Sequence, residues 1–249
     1  MRRQILLASV GAIAVAGSAF AADLPYRGPP PVYLAPPPIF TWSGLYLGGQ
    51  IGYAWGSDPL NVVDFRDGTT AFFNLEPQGV IGGAHLGYNL QIAQWVAGLE
   101  GSVDGTSVDG TTTSATGVTM ATRAEVQGSI RVRAGIAFDR VLIYGTGGAA
   151  FAGFTNGYTI GAPFFSPETI SRTRTGWTVG GGLEYAITNN WSIRAEYRYS
   201  DFGRFTDYPF PFVTNGNVAF THHLTQNQVQ AGFSYKFNSW GPGPVAARY

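Results

Sequence analysis

The stretch WSIRAEYRYS, residues 191–200, carries the pattern from which the fold is inferred. Large apolar side chains occupy most of its odd positions, from Trp191 to Tyr199, and polar or charged ones occupy its even positions, from Ser192 to Ser200. Successive side chains of a strand point to opposite faces, so this period of two predicts a β-strand with one apolar and one charged face. One such strand fits any antiparallel sheet, and the rest of the chain has to narrow the choice.

The same period of two recurs along the chain from about residue 40. Seven further segments show it or match it in length, although the two faces of the segment at 141–154 cannot be told apart: 42–55, 79–90, 95–104, 122–138, 141–154, 174–187 and 226–237. Eight is an even number, and each segment has the about 9–11 residues that a tilted strand needs to cross a bilayer.

The connections between these segments alternate in length. Short turns are predicted at 91–94, 139–140 and 188–190, whereas longer polar or Pro/Gly-rich loops are predicted at 56–77, 105–120, 155–173 and 203–221. Alternation of tight turns with long loops is typical of outer-membrane barrels, whose turns face the periplasm. The sequence therefore predicts an all-β fold, an eight-stranded antiparallel up-and-down transmembrane β-barrel, over residues 40–237.

The composition supports a barrel over a soluble β-sandwich, which also alternates. Charged residues make up 12% of the chain, aromatic residues 14%, and glycine accounts for 35 of 249 residues. A typical soluble domain has about 25% charged residues, many of them spread over its polar faces. Here the charges mix both signs and lie opposite the large apolar side chains, as expected of a narrow lumen.

Aromatic residues cluster at the predicted strand ends, as in the two aromatic belts of membrane barrels. Trp42 is assigned to the belt beside the short turns. The other members of that belt are Trp95, Phe138, Tyr185, Trp191 and Phe237, and the belt beside the long loops comprises Tyr53, Trp55, Trp177, Tyr199 and Phe202.

Residues 1–21 are predicted to be a secretory signal peptide. Arg2 and Arg3 precede an apolar stretch at 5–16 that is too short to span a bilayer, and small residues around Phe20 fit a cleavage site. Cleavage is expected between Ala21 and Ala22. It removes two of the 15 basic residues and none of the 15 acidic ones, so the mature chain has a net charge of −2.

Two segments flank the predicted barrel. Residues 22–39 are rich in proline, which lacks an amide donor and favours an extended conformation, and we interpret them as a periplasmic segment. A ligand for a partner domain is the alternative. Residues 238–249 form a C-terminal tail beyond Phe237, and either Phe237 or Tyr249 ends the signal for assembly.

The face opposite the apolar residues predicts a charge network in the lumen. An eight-stranded barrel is just wide enough for side chains to fill, and buried charges have to pair or stay hydrated. Inward glycines are expected to make room for the arginines beside them. The predicted set contains four acids and six bases: Glu100, Arg123, Glu125, Arg131, Arg133, Glu184, Arg194, Glu196, Arg198 and Lys236.

Two functions remain open for this lumen. In the first, the charges pair, fill the interior and fix the register of the strands. In the second, they line a narrow, slightly cationic channel for small solutes.

Neither catalysis nor a cofactor is expected. Cysteine is absent, and His85, His222 and His223 are the only histidines. No spacing with serine or acidic residues marks one of them as catalytic. Adjacent strand residues such as His222 and His223 point to opposite faces and chelate a metal poorly. The sequence lacks the clustered basic surface that nucleic-acid binding requires.

Several motifs together resemble a known family. They are ADLP at 22–25, GLYLGGQIGY at 44–53, GLEG at 98–101, RVRAG at 131–135, YGTGGAA at 144–150, GLEY at 182–185 and WSIRAEYRY at 191–199 followed by DFG at 201–203. This combination resembles the small outer-membrane immunogenic proteins of alphaproteobacteria, often labelled a porin family and related to OmpA-like and opacity-type eight-stranded barrels. The resemblance covers residues 22–237.

The resemblance implies a surface-exposed protein of the outer membrane, with membrane lipid, lipopolysaccharide and the barrel-assembly machinery as partners. We expect a structural barrel that supports envelope integrity. The alternatives are a narrow porin and a surface antigen that binds haemin or a host ligand, a property that the resemblance links with some relatives. A lipid-modifying barrel enzyme is not favoured, and the sequence does not indicate an oligomeric state.

Overall fold

The structure is a computed structural model that describes residues 40–114, 117–160, 168–209 and 216–237. The predictions of a signal peptide at 1–21, of cleavage between Ala21 and Ala22, of a proline-rich segment at 22–39 and of a tail at 238–249 lie outside these residues. Ten strands are present: β1 (Gly44–Asp64), β2 (Thr70–Leu75), β3 (Gln78–Ile92), β4 (Trp95–Thr106), β5 (Asp109–Thr113), β6 (Val118–Phe138), β7 (Val141–Ile160), β8 (Glu168–Ala186), β9 (Trp191–Asp207) and β10 (Val218–Lys236).

Eight of these strands close into a ring in the order β1-β3-β4-β6-β7-β8-β9-β10, and every neighbouring pair is antiparallel. The ring closes because β1 pairs with both β3 and β10; Leu47, for example, lies opposite Leu86 on one side and Tyr235 on the other. The predicted eight-stranded up-and-down barrel is therefore confirmed. Within the described residues, no helix is long and apolar enough to cross a membrane.

The two remaining strands extend one end of the barrel. We call the end that carries the short connections the turn end and the opposite end the loop end. At the loop end, β2 pairs with residues 58–63 of β1, and β5 pairs with residues 119–123 of β6. The long connections predicted at 56–77 and 105–120 are present, but much of each one is β-strand.

These extensions form strands because they enclose an apolar cluster of their own. Leu60, Leu75, Met120, Tyr158 and Phe220 pack together inside the loop end, and each is less than one tenth exposed. Burial of such side chains contributes about 1.5–3 kcal/mol each. The hairpins are thereby held as continuations of the barrel wall.

The outer face of the wall between the two ends is apolar. Ile51 and Ile130, in its middle, are 65% and 63% exposed, and the same face carries exposed Leu, Val, Phe and Trp side chains all around the ring. A soluble monomer rarely exposes a contiguous apolar surface of this kind. Trp191 packs edge-on against Tyr235 at the turn end, and Trp177 packs against Tyr199 towards the loop end, as expected of aromatic belts.

Candidate functional site

The inward face contains most of the charges that the sequence predicts there. Seven of the ten predicted residues are buried inside the ring, on β4, β6, β8 and β9: Glu100, Arg131, Arg133, Glu184, Arg194, Glu196 and Arg198. They lie at one level of the barrel and form a continuous set of contacts.

Arg123 and Glu125 face outward, so their assignment to the lumen was wrong. A β-bulge in β6 between Ala124 and Gln127 places one extra residue in this strand, so that two residues lie opposite one residue of β7. A bulge of this kind shifts the alternation, so Ala124 is buried before it and Gln127 after it, while Arg123 and Glu125 are exposed. The alternation of the sequence alone runs through this point without a break.

Lys236 also differs from the prediction, because it lies at the mouth of the turn end. Its ammonium group donates a hydrogen bond to the Thr41 carbonyl oxygen and lies 4.4 Å from the centre of the Phe40 ring. It therefore holds the segment that precedes β1 and does not join the buried charges.

Asp104 joins the buried charges although it was missing from the predicted set. Its Oδ1 accepts a hydrogen bond of 2.5 Å from Gln50, and its Oδ2 lies 3.9 Å from Arg198. Asp104 and Glu100 both occupy even-numbered positions of β4, and this shared face was the signal that the sequence offered. We define the lumen network as eight residues: Glu100, Asp104, Arg131, Arg133, Glu184, Arg194, Glu196 and Arg198.

The lumen network is electrically balanced, with four carboxylates and four guanidinium groups. The predicted set was cationic because it contained four acids and six bases. Removal of Arg123, Glu125 and Lys236 and addition of Asp104 bring the net formal charge of the layer to zero. A neutral layer offers no electrostatic attraction to a solute of either sign.

Glu100 is the central residue of the lumen network. Its Oε1 accepts a hydrogen bond from Arg131, and its Oε2 accepts hydrogen bonds from Arg194 at 2.6 Å and from Tyr46 at 2.8 Å. Arg133 lies 4.0 Å from the same Oε2. Three guanidinium groups thus converge on one carboxylate, which spreads its charge over contacts to β1, β6 and β9.

Glu196 forms a second centre on the other side of Arg131. Arg131 donates to its Oε1, Arg198 donates to the same atom at 2.9 Å, and Tyr144 donates to its Oε2 at 3.0 Å. Because Arg131 bridges Glu100 and Glu196, the two centres form a single network. Hydrogen bonds between a guanidinium group and a carboxylate are stronger than those between neutral groups.

Glycines accommodate these long side chains. Seven of the eight network residues lie directly opposite a glycine on a neighbouring strand; the pairs are Glu100–Gly87, Asp104–Gly83, Arg131–Gly148, Arg133–Gly98, Arg194–Gly232, Glu196–Gly182 and Arg198–Gly180. A Cβ atom at Gly182 would lie 2.5 Å from the Ala195 carbonyl oxygen and 2.7 Å from the Tyr144 hydroxyl group. The glycine content is therefore a condition for filling the lumen with charges.

Apolar clusters lie on both sides of the lumen network, as the inward residues of β1 show. Trp42 precedes the strand, Gln50 contacts the network, Ala54 belongs to an apolar cluster beyond it, and Asp58 lies still closer to the loop end. The apolar cluster beyond the network comprises Ala54, Ile81, Val108, Ala124, Ala150, Ala152, Phe154, Phe202, Phe205 and Leu224.

Trp42 lies inside the barrel at the turn end, which corrects its assignment to an aromatic belt. Its side chain is 4% exposed and packs with Val96, Leu142 and Tyr144. Its ring nitrogen donates a hydrogen bond of 3.1 Å to the Asp139 carbonyl oxygen in the turn between β6 and β7. Residues 40–43 therefore turn into the barrel and do not continue along its outer wall.

At the loop end, a chain of hydrogen bonds between buried polar side chains links four strands. His222 Nδ1 lies 2.7 Å from Asp58, His222 Nε2 lies 3.0 Å from the Tyr158 hydroxyl group, and that hydroxyl group donates to Asp207 at 3.2 Å. Burial raises the pKa of Tyr158, and Asp207 raises it further, so the phenol remains a donor. His223 points outward, as expected for the neighbour of His222.

Comparisons with known proteins agree with this architecture. The family described as "Outer membrane protein beta-barrel domain" matches residues 7–237. The 31 kDa outer-membrane immunogenic protein of Brucella melitensis is 34% identical over 245 residues, which cover 94% of this chain and 100% of the relative. The 22 kDa outer membrane protein of Rhizobium leguminosarum is 34% identical over 202 residues, 80% of each chain. Among solved structures, OprG from Pseudomonas aeruginosa aligns with a TM-score of 0.48 and 13% identity, covering 78% of this chain and 96% of that one.

Proposed function

Because the chain belongs to the outer-membrane β-barrel family and is an outer-membrane protein related to immunogenic surface proteins, we propose that it is a structural, surface-exposed barrel that supports envelope integrity and does not conduct solutes. One observation supports this proposal above the others: the lumen network is charge-balanced and lies between two apolar layers. Insertion by the barrel-assembly machinery is part of the same proposal.

A conducting lumen needs a continuous hydrated path, and the arrangement of the interior opposes one. An ion that leaves water for an apolar layer loses its hydration at a cost of several kcal/mol. The Trp42 cluster presents such a layer at the turn end, and the Phe154 and Phe202 rings, 5.2 Å apart, present another towards the loop end. Between them, Arg131 and Arg133 are already paired with carboxylates and are not available to a passing anion.

We expect the leaderless protein to be silent in planar lipid bilayers. The measurement is single-channel conductance after refolding in detergent, with a known porin as the positive control for insertion. Steady unit openings that scale with the amount of folded protein would contradict a closed lumen and would favour the narrow porin.

We expect a strain that lacks this protein to become more sensitive to detergents and to large hydrophobic antibiotics, because a filled barrel occupies and braces the membrane without opening it. The measurement is the minimum inhibitory concentration in deletion and complemented strains. Complementation by the wild-type gene, and weaker complementation by the Glu100→Ala variant at equal transcript level, is the expected result. Equal sensitivity of the deletion and parent strains would overturn the proposed role.

A further inference from the structure

An arginine and a histidine face outward side by side near the loop end. Arg204 on β9 lies directly opposite His223 on β10, and both project from the outer wall of the barrel. His223 Nε2 lies 3.4 Å from Asp201, and its side chain remains 34% exposed. Arg204 is exposed, and no carboxylate within the described ranges lies in ion-pair distance of it.

Arg123, also on the outer wall near the loop end, provides a contrast. It lies directly opposite Asp109 on β5, so its cross-strand neighbour carries the opposite charge. The cross-strand partner of Arg204 is instead a histidine, which offers no negative charge to the guanidinium group. An external anion would relieve this arrangement at Arg204 and has no comparable role at Arg123.

The pair lies just outside the headgroup layer of a membrane, within reach of an arginine side chain. Trp55 of the aromatic belt lies opposite Asn227, and His223 lies four residues beyond Asn227 along β10. At about 3.3 Å per residue and a strand tilt of about 40°, this places His223 about 10 Å beyond the belt. The polar region of a bilayer occupies the first about 5–8 Å outside the hydrocarbon core, and the arginine side chain can reach back into it.

A groove beside the pair supplies an apolar wall. It has a volume of about 370 Å³, and its lining includes Pro59, Phe72, Phe73, Arg204 and His223. Phe72, on the β2 hairpin, lies on the outer face of the protein and is 75% exposed. An exposed aromatic ring next to an unpaired guanidinium group suits a ligand that is both anionic and amphiphilic.

We propose that this groove binds the phosphate group of an outer-leaflet glycolipid, with Arg204 as the main ligand and His223 as a second donor. The planar guanidinium group can donate two parallel hydrogen bonds to a phosphate, which favours this headgroup over a neutral sugar. Asp201, beside His223, limits the attraction of the histidine, so Arg204 supplies most of it. This site goes beyond the proposed structural role, since a barrel without it would still brace the membrane.

The test is native mass spectrometry of the refolded, leaderless protein titrated with diphosphoryl lipid A in detergent micelles. The double variant Arg204→Ala/His223→Ala removes both donors. Arg66→Ala is the matched control, since Arg66 is also exposed but lies in the β1–β2 turn, 2.5 Å from Asp64. Both variants change surface positions, and a heat-modified shift on a gel shows that they fold.

We expect wild type and Arg66→Ala to retain lipid A equally, and the double variant to bind it about tenfold more weakly, the factor for losing one charge-assisted hydrogen bond. Dephosphorylated lipid A should bind wild type as weakly as the double variant binds the phosphorylated form. Equal retention by the double variant and wild type, or equal binding of the dephosphorylated lipid, would overturn the proposal.

Discussion

The Glu100→Ala variant is expected to lose about 3–5 kcal/mol of its free energy of unfolding, the range for breaking a buried ion pair by removing one partner. Glu100 accepts hydrogen bonds from Arg131, Arg194 and Tyr46 inside the barrel. Without it, three carboxylates remain beside four guanidinium groups, and Arg194 loses its ion-pair partner. The apolar layers on both sides restrict the water that could compensate.

The matched control is Glu125→Ala. Both glutamates belong to the predicted lumen set, but Glu125 is exposed because of the bulge in β6. Its loss should change the free energy of unfolding by no more than about 0.5 kcal/mol, as for most surface substitutions.

Urea unfolding of refolded protein in detergent micelles, followed by tryptophan fluorescence, compares the two variants. If Glu100→Ala fails to fold, Glu100→Gln keeps the shape of the side chain and provides a measurable intermediate. Equal stability of the two alanine variants would show that the lumen network contributes nothing to the fold.

The sequence predicts the barrel well because the membrane imposes one rule on every strand. Lipid covers the outer face, so most strands alternate between apolar and polar residues, and the turn-end bounds at Trp95, Phe138, Val141 and Trp191 agree with the structure. At the loop end this constraint weakens. There the strands continue to pair through segments with polar residues around the Leu60 cluster. The alternation of the sequence alone does not reveal this pairing.

The candidate site was predictable in composition but not in detail. The alternation of inward and outward positions correctly places Arg131 and Arg194 inside the barrel. It fails for Arg123, because no glycine or proline at the bulge indicates in the sequence that the alternation changes there. Which acid meets which base depends on cross-strand register and on side-chain reach. Glu100 and Arg194 are 94 positions apart in the chain and meet only because the ring closes.

The position of Trp42 was missed for a related reason. Tryptophan at a strand end is typical of a membrane belt, and the sequence does not show whether the preceding chain turns inward. In the structure, hydrogen bonds from Trp42 to Gln91 and Asp139 fix the inward path. The same turn places an indole ring inside the turn end, which strand alternation alone does not reveal.

The adjacent glycines of β7 provide the sharpest test of how the lumen is filled. Gly148 faces inward opposite Arg131, and a Cβ atom there would overlap the Ile130 carbonyl oxygen and lie 2.7 Å from the Arg131 Cα atom. Gly147 faces outward, and a Cβ atom there would meet only the Thr178 carbonyl oxygen, at 3.9 Å. The two glycines are adjacent on the same strand, but they differ in the space that they offer to a side chain.

Gly148→Val is therefore expected to prevent formation of the heat-modifiable barrel, or to cost more than about 3 kcal/mol, because the overlap involves backbone atoms that cannot rotate away. Gly147→Val should fold normally, since valine favours strands and its methyl groups would face lipid. The measurement is the folded fraction on an unheated gel after refolding of both variants in parallel. If Gly148→Val refolds as fully as Gly147→Val, then the wall can move aside, and glycine is not what allows Arg131 to lie in the lumen.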